Sequence, residues 1–313
     1  MTIELQRNPA AHHPTSTVRP ADFDAFWSDI MQVAGRIPLD SSMTRLPFRS
    51  TDDVDVFDIA YTSLDNVRIA GWYCTPRKLD PPFAGLLIVP GYISEPTLPK
   101  TWAKRGYATV GVAPRGKLRS NRQYNPGYPG LLVDNILDRN TYAYRGFYVD
   151  AARAVDFLLE RPEVDRTRIG VHGSSQGGAL TITTAALRRD VIACGAAGAP
   201  YLCGFLDAAR VTHSYPYEEL NEYLRLFPDR EQAMRETLNY FDGINFASLI
   251  RCPMLVNVGL QDDVCPPETG FAMFDALTCE KTLHPYDGCA HDAGSFWEAA
   301  NVESFLAQHL RPR

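Results

Sequence analysis

Five short stretches of this chain are apolar almost throughout, and each runs into small residues or a turn. They are "AGLLIVPGY" (84–92), "YATVGVAPRG" (107–116), "RIGVHGSS" (168–175), "VIACGAAGAP" (191–200) and "PMLVNVGL" (253–260). A strand with one wet face alternates apolar and polar residues; a strand that does not alternate is covered on both faces. Helix-like stretches separate the runs, near 96–105, at 144–162 and from Gly177 to Arg188. This rhythm specifies the α/β class: a mostly parallel central sheet with helices on both faces. A strand at "KTLHPYDG" (281–288) and a closing helix at about 294–309 complete it.

The remaining segments are of other kinds. Residues 54–75 alternate, with a turn at Asp65-Asn66, which reads as an antiparallel hairpin. A helix starting at Pro20 or Asp22 puts Phe23, Phe26, Trp27, Ile30 and Met31 on one stripe. Residues 1–20 look like a loose arm, and His12-His13 in it like an exposed pair that is not a metal site. Residues 117–143 form a loop rich in Gly, Pro, Asn and Tyr. Residues 201–250 form an aromatic, helix-like insertion. Insertions after strand C-termini lie over the crevice of an open α/β sheet. The insertion is therefore expected to cap the site; an oligomer interface or a plain helical layer is the other reading. The whole chain, 1–313, reads as a single α/β domain, with the arm and first helix at about 1–40.

Charge and composition exclude several classes. There are 31 Lys and Arg against 37 Asp and Glu, net −6, so there is no basic footprint for nucleic acid or an anionic membrane. No apolar run approaches the roughly 18 residues of a membrane span. Met1–Arg19 has no basic region followed by an apolar one, so no secretory signal is expected. Seven scattered cysteines, none in C-x-x-C, suggest reduced, mostly buried thiols in a cytoplasmic protein and no zinc ribbon.

The chemistry is carried by Gly173-Ser174-Ser175-Gln176-Gly177-Gly178, between an apolar strand and an Ala/Leu-rich helix. That is the setting of a G-x-S-x-G nucleophile elbow, with Ser175 the middle serine. Its turn is strained, so flanking side chains must be absent, as at Gly173 and Gly177. The bland alternative is a Gly/Ser turn without chemistry. An acid should follow a later strand, and Asp262 and Asp263 both lie past one. His291, in the loop after the next strand, would be the base. An oxyanion hole needs two backbone N–H groups. Gln176, after the nucleophile, supplies one; Tyr92, at the turn after the first parallel strand, supplies the other, with Gly91 allowing close approach. His284 and His172 lie on strands and read as structural.

With these residues assembled, the sequence resembles the acetyl xylan esterase / cephalosporin C deacetylase family (carbohydrate esterase family 7), nearly end to end. The likeness is densest at "NTYAYRGFYVDAARAV" (140–155), "PEVDRTRIGVHGSSQGGAL" (162–180), "ETLNYFDGINFA" (236–247) and "GLQDDVCPPETGFAMF" (259–274). It implies an α/β-hydrolase fold and a serine esterase that removes acetyl groups from acetylated sugars or related small-molecule esters. It implies no metal or other cofactor, a cytoplasmic location, and a homo-oligomer, commonly a hexamer in the family. The pattern G-L-x-D followed by Pro-Pro selects Asp262 over Asp263 as the acid. Arg115 and Gly116 match a family signature, Pro200-Tyr201-Leu202 falls where the family narrows its acyl pocket, and Tyr92, Pro200 and Tyr201 are the expected substrate-pocket residues. Three departures stand out: Lys117 in place of the signature's Gln, Pro90 in place of a His, and Asp292 in place of a Glu after His291. They leave the triad positions untouched and bear on substrate and loop geometry. A prolyl-oligopeptidase-like peptidase shares the elbow, but roughly 80 residues before the first parallel strand cannot build its propeller. A non-catalytic hydrolase-fold binding protein is opposed by the complete set of triad residues.

Overall fold

A computed structural model describes residues 8–312. Among these residues nine strands form one sheet in the order β1-β2-β3-β5-β4-β6-β7-β8-β9. They are β1 (Ser42–Arg45), β2 (Val54–Thr62), β3 (Arg68–Pro76), β4 (Phe83–Ile88), β5 (Tyr107–Ala113), β6 (Val164–Ser174), β7 (Ile192–Gly198), β8 (Met254–Gly259) and β9 (Lys281–Tyr286). The first three and β5 pair antiparallel; from β5 through β4 to β9 all pairs are parallel. This is the α/β class read from the apolar runs, in the α/β-hydrolase form that the resemblance implies. The split follows the patterning: β2 alternates in burial, whereas β5, β7 and β8 are buried almost throughout. The hairpin turn lies at Leu64–Asn66, where Asp65 (φ 60°) and Asn66 (φ 58°) take the left-handed conformation these residue types tolerate.

Among the described residues ten helices accompany the sheet: α1 (Phe23–Arg36), α2 (Lys100–Lys104), α3 (Ala143–Leu159), α4 (Gln176–Leu187), α5 (Phe205–Val211), α6 (Glu218–Leu226), α7 (Glu231–Leu238), α8 (Gly243–Ala247), α9 (Pro267–Ala276) and α10 (Ser295–Leu310). On one face of the sheet Leu86, Ala196 and Leu255 pack under Val302, Leu306 and Leu310 of α10. On the other, Leu87, Val110 and Val171 join the larger core that holds α1, α3, α4 and the insertion. Two elements depart from expectation. The stretch near 96–105 yields only the short α2, and the edge strand β1, four exposed residues, carries no apolar pattern by which it could be read.

The arm also differs. Its first seven residues lie outside the described ones, but from Asn8 onward it is docked. Thr15 and Ser16 donate to the buried Asp207, and Thr17 Oγ1 donates to the buried Asp242 at 2.9 Å. His12 is exposed, but His13 is buried, its Nδ1 2.9 Å from Asp275 and its Nε2 2.9 Å from the Asn8 carbonyl. The two histidines are therefore not an exposed pair. Polar residues look like loop in sequence because their carboxylate partners stand some 192 and 225 positions away.

Arg115 joins the hairpin to α3. Its backbone N–H and Nε donate to Asp150 Oδ2 at 2.9 and 2.8 Å, and Nη2 donates to Asp150 Oδ1 and the Leu64 carbonyl. Gly146 makes room: a Cβ there would stand 2.1 Å from Arg115 Nη1. Breaking a buried, fully bonded pair strands the remaining charge, at a cost of about 3–5 kcal/mol. Asp150→Ala should therefore lower the unfolding free energy by about that much in a denaturant titration. Asp55→Ala, which breaks the partly exposed pairs of Asp55 with Arg45 and Arg77, should change it by about 1 kcal/mol or less. Equal effects would refute a structural role for Arg115.

Candidate active site

The elbow falls where β6 meets α4. Ser175 has φ 61° and ψ −123°, a region a residue with a side chain occupies only at a cost of order 1–3 kcal/mol. Its surroundings hold it there: Ser175 N donates to the Gly198 carbonyl at 2.9 Å, and Tyr201 N donates to the Ser175 carbonyl at 3.1 Å. The flanking glycines are obligatory for a steric reason. A Cβ on Gly177 would lie 2.5 Å from the Val89 carbonyl oxygen, and one on Gly173 would lie 2.7 Å from it. Ser175 opens into a cleft of about 400 Å³ that His291 also lines. Ser174 faces a different, smaller cavity with His172, Asn257 and Asp292.

The turn after β8 buries Asp262. Its Oδ1 accepts the N–H groups of Val264 and Cys265, both at 2.8 Å, and its Oδ2 stands 2.9 Å from His291 Nδ1. A carboxylate so fixed accepts the Nδ1 proton, which leaves Nε2 as the basic nitrogen. Asp263 is exposed and its carboxylate is not part of this arrangement. Sequence spacing gave no sign of a third neighbour: one ligand atom each from Asp262, Cys265 and His291 lie within 4.8 Å of one another. Burial pushes the Cys265 thiol well above its usual range, and a hydrogen bond with Ser175 works the other way. His284 instead serves α10, its Nδ1 2.9 Å from Glu298, and His172 Nδ1 lies 3.0 Å from the Ala196 carbonyl.

Gln176 opens α4, so its N–H stands at the positive end of a helix dipole. Its side chain is buried and donates to the Tyr144 hydroxyl at 2.8 Å. The Tyr92 N–H borders the same cleft, and neither amide has an acceptor among the described residues. Three segments converge on Tyr92. Its hydroxyl donates to Glu219 of α6, whose other carboxylate oxygen accepts Gly130 N at 2.9 Å and Leu132 N at 3.2 Å. Desolvation raises the Glu219 carboxyl, with the Tyr92 hydrogen bond opposing it.

The cleft walls are mostly rigid: Tyr92, Tyr128, Pro129, Tyr215, Pro216 and Val264. Tyr215, Pro216 and Glu219 bring part of the 201–250 insertion to the cleft wall. Pro200 and Tyr201, expected in the pocket, do not line it. Tyr201 is fully buried one ring further back, 5.9 Å from the Tyr92 ring and 4.7 Å from that of Tyr217. No residue of Pro200-Tyr201-Leu202 reaches the cleft wall, whereas Tyr92, also expected in the pocket, does.

A model of the acetyl xylan esterase family matches residues 6–309. The chain belongs to the acetyl xylan esterase family. It is 30% identical over 286 residues to "Acetyl esterase Axe7A" of Xylanibacter ruminicola, covering 85% of this chain and 62% of that protein. The chain thus spans less than two thirds of that relative's length. Among solved structures, the acetyl xylan esterase from Paenibacillus sp. R4 is 32% identical, with a TM-score of 0.89 over 95% of this chain and 98% of that one. Acetyl xylan esterase 1 from Thermoanaerobacterium sp. JW/SL YS485 shares the fold, with a TM-score of 0.85 at 24% identity over 94% and 96% of the two chains.

The departure at Lys117 takes a definite form in this family member. The side chain is buried, and its Nζ donates to the Gly91 carbonyl at 2.7 Å and to the Tyr92 carbonyl. Burial pulls its ammonium down to about 7, with Glu95 opposing. Gly116, with φ 83°, makes the turn that leads to it.

If Ser175 is the nucleophile, Ser175→Ala should lower kcat on p-nitrophenyl acetate by about 10⁴–10⁶-fold. Asp262→Asn should cost about 10⁴-fold, since it supplies the wrong partner to Nδ1. Asp263→Asn should cost little. A reversed ranking of the two aspartates would overturn the assignment of the acid.

Proposed function

We propose that this chain is a serine esterase that removes acetyl groups from hydroxyls of sugars or related small molecules. The observation that carries this reading is the shared cleft: Ser175 on a strained elbow, and His291 oriented through Nδ1 by the buried Asp262. Ser175 Oγ would attack the acetyl carbonyl while His291 Nε2 takes its proton. The oxyanion would bind at the N–H groups of Tyr92 and Gln176. His291 then gives the proton to the departing alcohol, leaving an acetyl-serine. Water, deprotonated by the same nitrogen, releases acetate and restores Ser175. No step in this scheme uses a metal.

The aromatic and proline walls support a preference for short acyl groups. Such walls yield little, and overfilling a packed site costs about 1–3 kcal/mol, or roughly 10–100-fold in rate. The p-nitrophenyl acetate should therefore be cleaved 10-fold or more faster than the butyrate, and the octanoate barely at all. A preference for butyrate or longer would remove the acetyl part of the proposal. Only the oxygen of the alcohol takes part in the chemistry, so acetylated xylose units and cephalosporin C are both candidate substrates, and a panel of acetylated alcohols separates them.

We further infer a cytoplasmic homo-oligomer. Seven unpaired cysteines, six of them buried, support a reducing compartment. No helix among the described residues is long and apolar enough to cross a membrane. Ile93 at the cleft mouth is 80% exposed, and Phe296 and Trp297 at the start of α10 are 82% and 66% exposed. Large exposed apolar side chains mark contact surfaces. Light scattering should give twice the chain mass or more, falling toward the monomer in Phe296→Asp/Trp297→Asp. A monomeric wild type would refute this.

A further inference from the structure

The Gly91–Tyr92 peptide unit is planar, so its C=O and N–H point in opposite directions and turn together. The N–H is the oxyanion donor of the proposed reaction, and the C=O accepts from Lys117 Nζ at 2.7 Å. Lys117 also donates to the Tyr92 carbonyl, and no other donor reaches either oxygen among the described residues. The ammonium is buried, with the Tyr128 ring centroid 4.9 Å away. Its backbone is fixed as well: Lys117 N donates to the Pro114 carbonyl at 3.1 Å, and Ser120 N donates to the Lys117 carbonyl at 2.7 Å. Two residues earlier, Arg115 is held by Asp150.

We infer that Lys117 is the positioning residue of the oxyanion hole: by gripping the Gly91 and Tyr92 carbonyls it aims the Tyr92 N–H into the cleft. This rests on the esterase reading above. A charge-assisted hydrogen bond at the carbonyl end is stronger than a neutral one and polarises the peptide, which strengthens its N–H as a donor. A glutamine here could hold a carbonyl but would bring no charge. A methionine of similar length would do neither.

The charge gives the idea a second handle. The titratable groups around the ammonium are Glu95, whose Oε1 accepts Leu118 N at 2.7 Å, the Tyr92 and Tyr128 phenols, and Glu219 bonded to the Tyr92 hydroxyl. Burial holds the ammonium at about 7, so it is charged below that pH and loses its proton above it. The wild type should therefore lose kcat/KM as pH rises past about 7, and Lys117→Gln should lack that descending limb.

The test is steady-state hydrolysis of p-nitrophenyl acetate by the full chain, with inhibition by methylboronic acid, whose tetrahedral adduct places an oxygen in the oxyanion hole. Lys117→Met should lower kcat by about 10²-fold, the scale of losing one oxyanion donor, with KM changed less than threefold. Boronate affinity should fall in parallel, while inhibition by acetate stays as in the wild type. Lys117→Gln should recover at least tenfold of the lost kcat. A Lys117→Met protein within threefold of wild-type kcat, or one impaired in KM alone, overturns the inference. If that variant does not fold, Lys117→Gln decides: a descending limb that persists near pH 7 overturns it. Either result alongside an inactive Ser175→Ala leaves the esterase reading standing, whereas a wild type that hydrolyses no acetyl ester removes that reading itself.

Discussion

The contact on which the rest of the site depends is between backbone and backbone. The turn from β6 into α4 lies so close to the Val89 carbonyl that a Cβ at Gly173 or Gly177 would stand 2.7 or 2.5 Å from it. Val89 N in turn donates to the His172 carbonyl at 3.1 Å, extending the β4–β6 pairing past the end of β4. The chain leaving β4 through Gly91 and Tyr92 is thus laid beside the serine elbow. Ser175 and Tyr92 come from different strands, but a single close approach sets their spacing. The strain at Ser175 persists because the sheet on either side leaves the turn no other path.

Around that contact the protein arranges supports of very different strength. Asp262 spends both oxygens, one on two backbone N–H groups and one on His291, so its position does not depend on a flexible partner. Tyr92 is held from three sides: Glu219 of α6 at its hydroxyl, Lys117 at its backbone, and the Tyr201 ring behind it. Exposed ion pairs such as Lys78–Asp53 are screened by water and decide little. Arg115–Asp150 is enclosed, and it fixes the strand end from which Gly116 turns the chain toward Lys117. A buried pair is in this way connected to the loop that carries Gly91 and Tyr92.

The insertion contributes both lining and anchoring. Tyr215, Pro216 and Glu219 line the cleft, while its far end is tied down by Asp242, which accepts Gly204, Phe205 and Ile244 N–H groups and the Thr17 hydroxyl. The arm crosses this end of the insertion through Thr15, Ser16 and Thr17. Residues from the start of the chain therefore brace the element that lines the cleft.

By itself the sequence determined the class of sheet, because unbroken apolar runs such as 107–113 can only be strands covered on both faces. It determined the elbow, because Gly-Ser-Gln-Gly-Gly between a strand and a helix leaves few other conformations. Tertiary structure decided what depends on partners distant in sequence. The resemblance already picked Asp262 over Asp263; the fold adds the geometry, in which the Asp262 carboxylate faces His291 and Asp263 is exposed. Tyr201 looked like a pocket wall by position, yet the ring of Tyr92 stands in front of it. His13 looked exposed because Asp275, its partner, is 262 residues away. Lys117 read as a cation on a loop. Only the folded chain puts its ammonium on the Gly91 and Tyr92 carbonyls, because hydrogen bonds of this kind are set by distance in space and leave no periodicity in sequence.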